Sequence, residues 1–394
     1  MFLQIHTLTA YPASLLNRDD AGLAKRIPFG NAVRLRVSSQ CLKRHWREDL
    51  TQRLTDVPDG FRTRSFFTRA VLPRALSHGI SQEQSKNLVE VLIEGFMKSS
   101  KDKDGNGSSK KKREEAKKKG IDILQPVFFG AREADYFANM LNWAIQQQNP
   151  TKALETRLDQ EKENIKAMSK AAAGLTAALF GRMVTSDLLA RVDAPVHVAH
   201  AFTVHAANTE MDYFSVVDDL SQEEETGSAH NNQTELGAGL YYGYVAVDVP
   251  LLVGNLTGAD PKDWQQQDTS LPRRVLEALI DSILRQSPGA KKGSTAPYAW
   301  ADALYLEVGR SQPRALSNAF LDALRPDGKT DLRQAALNRL AAYLGQLDAM
   351  YGGPGDEGGR FLSTTLEPVP PLPPKQPVPQ TAASALDAIF GPRA

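Results

Sequence analysis

The stretch Val33-Arg34-Leu35-Arg36-Val37-Ser38-Ser39-Gln40-Cys41-Leu42-Lys43-Arg44-His45-Trp46-Arg47 changes its period halfway along. Val33, Leu35 and Val37 alternate with Arg34, Arg36 and Ser38, which is the period of a strand. One face of that strand is apolar; the other carries two guanidinium groups and a hydroxyl, and reads as solvent-facing. At Ser38-Ser39, both good N-cap residues, the period lengthens, and Leu42, Trp46 and Leu50 fall on one side of a helix. Gln40, Lys43, Arg44 and Arg47 share another face at i, i+3, i+4 and i+7. Cationic side chains and the free N–H groups of a helix start therefore converge on one spot, as a phosphate requires. The same pattern also fits a solvated basic face on a strand–helix corner.

The chain has 394 residues, of which 41% are hydrophobic and 24% charged, so it can build two or three domains with proper cores. Met1-Phe2-Leu3-Gln4-Ile5-His6 lacks the basic and apolar regions of a signal peptide, and no apolar run approaches a membrane span, so a cytoplasmic protein is expected. Cys41 stands alone, which rules out an internal disulfide and argues against a thiolate metal cluster. Net charge is only +1, but it is segregated: residues 1–50 carry +4 and residues 101–119 carry +5, leaving −8 elsewhere.

Residues 2–9 read as an opening strand with Leu3 and Ile5 on one face and Gln4 and His6 on the other, His6 at the surface. The loop from Asn17-Arg18-Asp19-Asp20 through Lys25 to Gly30 leads to a central strand at 33–37. Asp19 and Asp20 have no third acidic or His ligand nearby in sequence, and holding the loop by hydrogen bonds is the simpler role. From about residue 50 to 182 the periodicity is helical, at 82–98, 132–147, 152–168 and 171–180, interrupted by a Gly/Ser linker and the lysine-rich run 110–119. Residues 195–207 read as a strand bearing His197, His200 and His205; His197 and His200 point to opposite faces, so no metal site is expected. Some thirty polar residues around Met211, Tyr213, Phe214, Val216 and Val217 then separate it from a strand at 239–249, as in a projecting finger or a self-closing loop. Helices are expected at 272–286, 314–324 and 331–350, a basic loop at 288–292 containing Lys291, and a strand near 303–308. A Pro-rich spacer at 368–379 precedes a short helix or a frayed tail at 382–390. No Walker loop, nucleophile elbow or dinucleotide fingerprint is present.

Several of these blocks together resemble the CasC-type (Cse4-type) backbone subunit of Cascade, the type I-E CRISPR surveillance complex. They are Leu16 to Asp20, Arg34 to Arg44, Gly181-Arg182-Met183-Val184-Thr185-Ser186, Ala199 to His205, Tyr213 to Leu220, Gly227-Ser228-Ala229-His230 and Pro288-Gly289-Ala290-Lys291, in that order. The resemblance implies an α+β fold: an RRM-like (ferredoxin-like) palm at 1–50, 183–202 and 237–365, helical fingers at 51–182, a long thumb hairpin at 203–236 and a Pro-rich tail at 366–394. It implies a non-catalytic subunit, without cofactor or metal, that polymerises along the guide RNA and presents it to target DNA beside other Cascade subunits. Guide-backbone contacts are implied for Arg18, Lys25, Ser38, Gln40, Lys43, Arg44 and Arg47, to which the basic strand adds Arg34 and Arg36 and the basic loop Lys291. Tyr213, Phe214 and Val217 would form the thumb wedge, with Met183 supporting the bases. Related type III backbone subunits cleave RNA with a loop aspartate, and Asp19 or Asp20 occupies a comparable loop; RNA cleavage is the alternative reading. The lysine-rich loop and Pro-rich tail depart from the family pattern.

Overall fold

In a computed structural model, described except for residues 78–80, 99–121, 124, 185–187, 217–229, 326–327, 354–357 and 394, the chain divides into two units. The first takes Met1–Arg53, His197–Val249 and Arg273–Ala394; the second takes Leu54–Val196 and Pro250–Pro272. The lysine-rich run at 110–119 and Val217 lie outside the described residues.

In the first unit, β1 (Phe2–Ser14) leads to a hairpin of β2 (Arg26–Phe29) and β3 (Ala32–Val37), followed by α1 (Ser39–Arg53). Next come β4 (Ala201–Thr203), β5 (Thr209–Val216), β6 (His230–Asp248), α2 (Ser270–Arg285) and β7 (Ala303–Gly309). The chain finishes with α3 (Leu332–Tyr351), β8 (Gly359–Thr364) and α4 (Val378–Phe390). Strand order is β8-β7-β1-β6-β4-β3-β2, with β5 paired to β6 off this path. The series β1-α1-β4-β6-α2-β7, in the spatial order β7-β1-β6-β4, is the antiparallel ferredoxin-like arrangement. The protein is thus α+β, and the β2–β3 hairpin extends the sheet beyond β4. Its two-residue turn needs Gly30, at φ +59°, because a Cβ there would strike the Leu321 carbonyl.

Several expectations need correction. The strand at 33–37 is not central; it lies next to the edge strand β2. Residues 314–324 form only a short 3-10 turn, Ser317–Phe320, and β8, a short strand that begins at a glycine, was not anticipated. Of the two readings of the tail, the docking helix holds: α4 buries Ala382, Ala385, Leu386 and Ile389, and Arg273 of α2 pairs with its Asp387 and donates to Gly391 O at 2.9 Å. His6 is 2% exposed, because β1 is covered on both faces. On one side Ile5 and Val245 share a small cavity with Leu42 and Trp46 of α1; on the other Leu8, Tyr242 and Tyr305 pack with Leu337, Leu340 and Leu344 of α3.

In the second unit, the strands Gly60–Thr63 and Val127–Gly130 form a two-stranded antiparallel sheet beside helices Gln82–Lys98, Ala131–Ile145 and Pro150–Gln160. Phe66, Phe67, Phe96, Phe129 and Phe137 cluster at its centre, Phe66 stacked on Phe129 at 3.9 Å. Arg182 is buried there too, donating to Glu133 at 2.7 Å and to Ala190 O at 3.1 Å. Burial pushes the Glu133 carboxyl up, and Arg182 opposes that shift. Glu133 also accepts the Gly130 N–H at the start of its helix, so the Gly181-Arg182-Met183 block has a packing role at its middle residue.

The buried His6 makes acid sensitivity a property of the fold. Its Nδ1 meets the Tyr242 hydroxyl at 2.9 Å, and its ring lies among Tyr242, Tyr244 and Tyr305. Burial, helped by the Arg314 charge, lowers its pKa to about 3. The unfolded chain therefore binds a proton that the folded chain refuses between the ordinary histidine value, about 6.5, and about 3, and stability falls as pH drops through that window. Urea unfolding between pH 7 and pH 4 should show His6→Gln less stable at neutral pH but with an acid limb shallower by up to ~1.4 kcal/mol per pH unit.

Candidate nucleic-acid interface

Helix α1 begins where two segments are stitched together. Ser38 caps it: its Oγ accepts the Cys41 N–H at 3.3 Å, and its own N–H donates to Asn17 Oδ1 at 2.9 Å. The loop 17–25 is closed by Lys25 N–H to Asn17 O at 2.9 Å and joined to β3 by Arg36 N–H to Lys25 O at 2.8 Å. Inside it Asp19 Oδ1 accepts the N–H groups of Ala21 and Leu23 at 2.9 and 3.0 Å, while Gly22 takes φ +87°. Asp19 thus holds the loop that carries Arg18 and Lys25.

Around this start lie Arg18, exposed, and Lys25, half-buried, from the loop; Arg36, half-buried, from β3; and Gln40, Lys43, Arg44 and Arg47 on α1. The first turn of α1 contains no acidic residue, so the positive helix end is not neutralised locally. Partial burial lowers the Lys43 pKa. Arg44 is exposed and pairs with Glu48 at 2.9 Å, a contact that holds the Glu48 carboxyl below its usual range. Such an exposed i,i+4 pair is worth only about 0.3–0.5 kcal/mol, so Arg44 can be recruited to another anion at small cost.

Other candidates fall elsewhere. Arg34 is not on an exposed face: it is 0% exposed and donates to Thr203 O at 3.0 Å and Phe320 O at 2.8 Å. The turn Ser317–Phe320 covers its side of β3, and the guanidinium satisfies carbonyls there. Ser38 is likewise buried, with its hydroxyl occupied as the helix cap. Lys291 donates to Thr234 Oγ1 at 2.6 Å. Met183 is exposed in the second unit. Tyr213 is exposed on β5, on the same face as the exposed Met211, and Phe214 pairs its backbone with Asn232.

Three residues join the corner that local spacing could not reveal. His200 Nδ1 accepts from Arg36 at 2.9 Å, and the charges of Arg36 and Lys25 add to burial in keeping its pKa low. Lys292 lies close enough to Cys41 and His45 for its charge to act on both. Arg26 bonds Thr209 at 3.1 Å and pairs with the buried Glu235, which ties the loop to the base of the β5–β6 hairpin. The antiparallel pairing of Arg36 with Phe202 explains how His200 arrives from a distant part of the chain. His205, by contrast, is spent on the backbone, donating from Nδ1 to Ala206 O and accepting the Leu240 N–H at Nε2. Among the described residues no group of three His, Cys, Asp or Glu side chains is placed to hold a metal.

Burial separates the two strand arginines experimentally. Arg34→Ala should cost about 2–4 kcal/mol in urea unfolding, since it strands buried carbonyl groups, whereas Arg36→Ala, which removes only solvent-accessible bonds to Arg26 O and His200, should cost less than about 1 kcal/mol.

The comparisons with known proteins agree with this architecture. A solved structure described as "CRISPR RNA-guided surveillance complex, pre-nicking" contains a chain similar to this one with a TM-score of 0.75 and 24% identity, over 99% of this chain and 100% of that one. A chain of a second, described as "CRISPR RNA-guided surveillance complex", is similar with a TM-score of 0.58 and 22% identity over the same shares. Among curated proteins no relative matches. The family model for CT1975-like protein, a Cas family, matches residues 3–372, and the chain belongs to that family.

Proposed function

We propose that the chain is a CasC-type backbone subunit of a type I-E Cascade complex: a non-catalytic protein that polymerises along a CRISPR guide RNA and holds it for pairing with target DNA. What supports this reading is the joining of the loop that carries Arg18 and Lys25 to β3, which carries Arg36, and to the start of α1, which carries Lys43, Arg44 and Arg47 and has no acidic residue in its first turn. That arrangement suits phosphates and offers no set of groups for reading base edges. In an ordinary RRM the open sheet face stacks bases on aromatic residues; here the corresponding Tyr242 and Tyr305 are packed against α3. RNA is then held by its backbone, and base pairing with the target supplies the sequence specificity. The similar solved chains come from complexes described as RNA-guided, which supports a guide RNA and further Cas subunits as partners.

About four phosphate contacts on single-stranded RNA give a salt slope near −3, weak for one subunit at cellular salt. Contacts between successive copies make such binding cooperative and length-driven. The β5–β6 hairpin, with Met211 and Tyr213 exposed, is the element suited to reach the next copy and wedge between bases, together with Phe214 and Val217. No helix among the described residues is long and apolar enough to cross a membrane.

Co-expression with a CRISPR array and the other complex subunits, followed by size-exclusion chromatography at 260 and 280 nm, tests this. Wild type should elute as a large nucleic-acid-rich species, and Lys43→Ala/Arg47→Ala should lose it while lowering the salt slope for an RNA oligonucleotide by about 1–1.5. A nucleic-acid-free wild type would overturn the proposal. The rival cleavage reading is checked with Asp19→Ala/Asp20→Ala: target-RNA cutting by wild type that disappears in an assembled variant would establish it, and no cutting by wild type would end it.

A further inference from the structure

Residues 287–300 connect α2 to β7 through a loop that is tied down along its length. Ser287 Oγ accepts the Ala299 N–H at 2.9 Å and donates to Ala299 O at 3.0 Å, and Ala301 N–H donates to Leu284 O at 3.0 Å. Midway, Ala290 N–H donates to Leu15 O at 2.9 Å, just before the loop that carries Arg18 and Lys25. Ala296 sits in the left-handed region at φ +40°. A loop held in this way nevertheless presents Tyr298 at 72% and Trp300 at 68% exposure, two aromatic side chains separated by one residue. Two exposed aromatic rings on an anchored backbone keep their positions for a ligand.

The surroundings narrow the ligand. The Arg285 guanidinium lies 4.6 Å from the centre of the Trp300 ring, covering one face of the indole. Arg285 also pairs with Asp281 at 2.7 Å, and Asp281 with Arg53 of α1 at 2.6 Å, so the local acid is already matched by two arginines. Lys291 and Lys292 precede the aromatic pair in the same loop, and the charge of Lys292 acts on His45 of α1. Lysine is depleted at protein–protein interfaces, whereas cations interleaved with aromatic rings are the composition of single-strand nucleic-acid surfaces. An indole backed by a guanidinium on one face offers its other face to a base.

We propose that Tyr298 and Trp300 form a stacking platform for bases of single-stranded RNA, on the same anchored loop whose Lys292 stands near α1. The platform rests on the RNA-binding reading of the α1 corner and adds base contacts, without sequence preference, to a site otherwise built for phosphates.

The test uses the full-length protein and fluorescein-labelled oligo(U) and oligo(A) RNAs of about 12 nucleotides, read by anisotropy across a salt series. Tyr298→Ala/Trp300→Ala should weaken binding of both RNAs roughly ten-fold or more with the salt slope unchanged. Tyr298→Phe/Trp300→Phe, which keeps the rings, should retain most of the affinity, and RNA should quench an emission component of wild type that the Trp300→Phe variant lacks. Lys43→Ala/Arg47→Ala should instead lower the slope. If the alanine pair binds as wild type while Lys43→Ala/Arg47→Ala is impaired, the platform is overturned and the aromatic pair is a protein-docking surface; the corner reading stands. If wild type binds neither RNA, the RNA reading of the corner fails and the platform falls with it.

Discussion

Strand β6 belongs to two structures at once, and most of the first unit depends on its register. Its residues 230–237 pair with β5 to make the hairpin; from Gly237 onward it pairs with β1, and Tyr241 and Tyr242 also pair with β4. A slip of one residue would turn Tyr242, now buried under α3, to the α1 side and would carry the hairpin's faces with it. Close approach fixes the register further: a Cβ on Gly243 would stand 2.6 Å from Thr7 Oγ1, and one on Gly239 2.8 Å from His205 Nε2. The base of the hairpin is pinned by Glu235, which accepts the Ala24 N–H at 2.7 Å and pairs with Arg26. Glu235 therefore ties the hairpin to the loop that carries Arg18 and Lys25.

Arginine is used in two physically different ways. Arg34 and Arg182 are fully buried, and each meets backbone carbonyls, Arg182 with the Glu133 carboxylate in addition. A planar guanidinium with several fixed donors can satisfy such a site where lysine could not. Arg18, Arg36, Arg44 and Arg47 retain contact with water around the start of α1. The small net charge of the chain hides this corner, because opposite charge is distributed over the remainder.

Covering both faces of the sheet removes its aromatic rings from any ligand. Helices α1 and α2 occupy one side and α3 the other, so the aromatic rings of β6 and β7 serve the core. The surface proposed for RNA is the edge where the 17–25 loop, β3 and the start of α1 meet. Under the proposed function, a site of this kind would grip a backbone and tolerate any sequence.

Local periodicity determined much of this protein by itself. The change from period two to helical period at Ser38 placed β3 and α1, and the helix at 82–98 and the strand at 303–308 followed the same signals. The resemblance in ordered blocks implied the α+β fold class that the structure shows, in which β5 and β6 pair from Thr209 to Val216 and from His230 to Gly237. Tertiary structure decided which polar residues are buried. Alternation along β1 and β3 shows that His6 and Arg34 share a face with other polar groups, but not that α3 and the turn Ser317–Phe320 cover those faces. Likewise, His200 and Lys292 reach the cationic corner only through strand pairing and the anchored 287–300 loop. Period is set by neighbours three or four residues away, whereas burial is set by whatever distant segment packs on top, and spacing along the chain does not carry that second quantity.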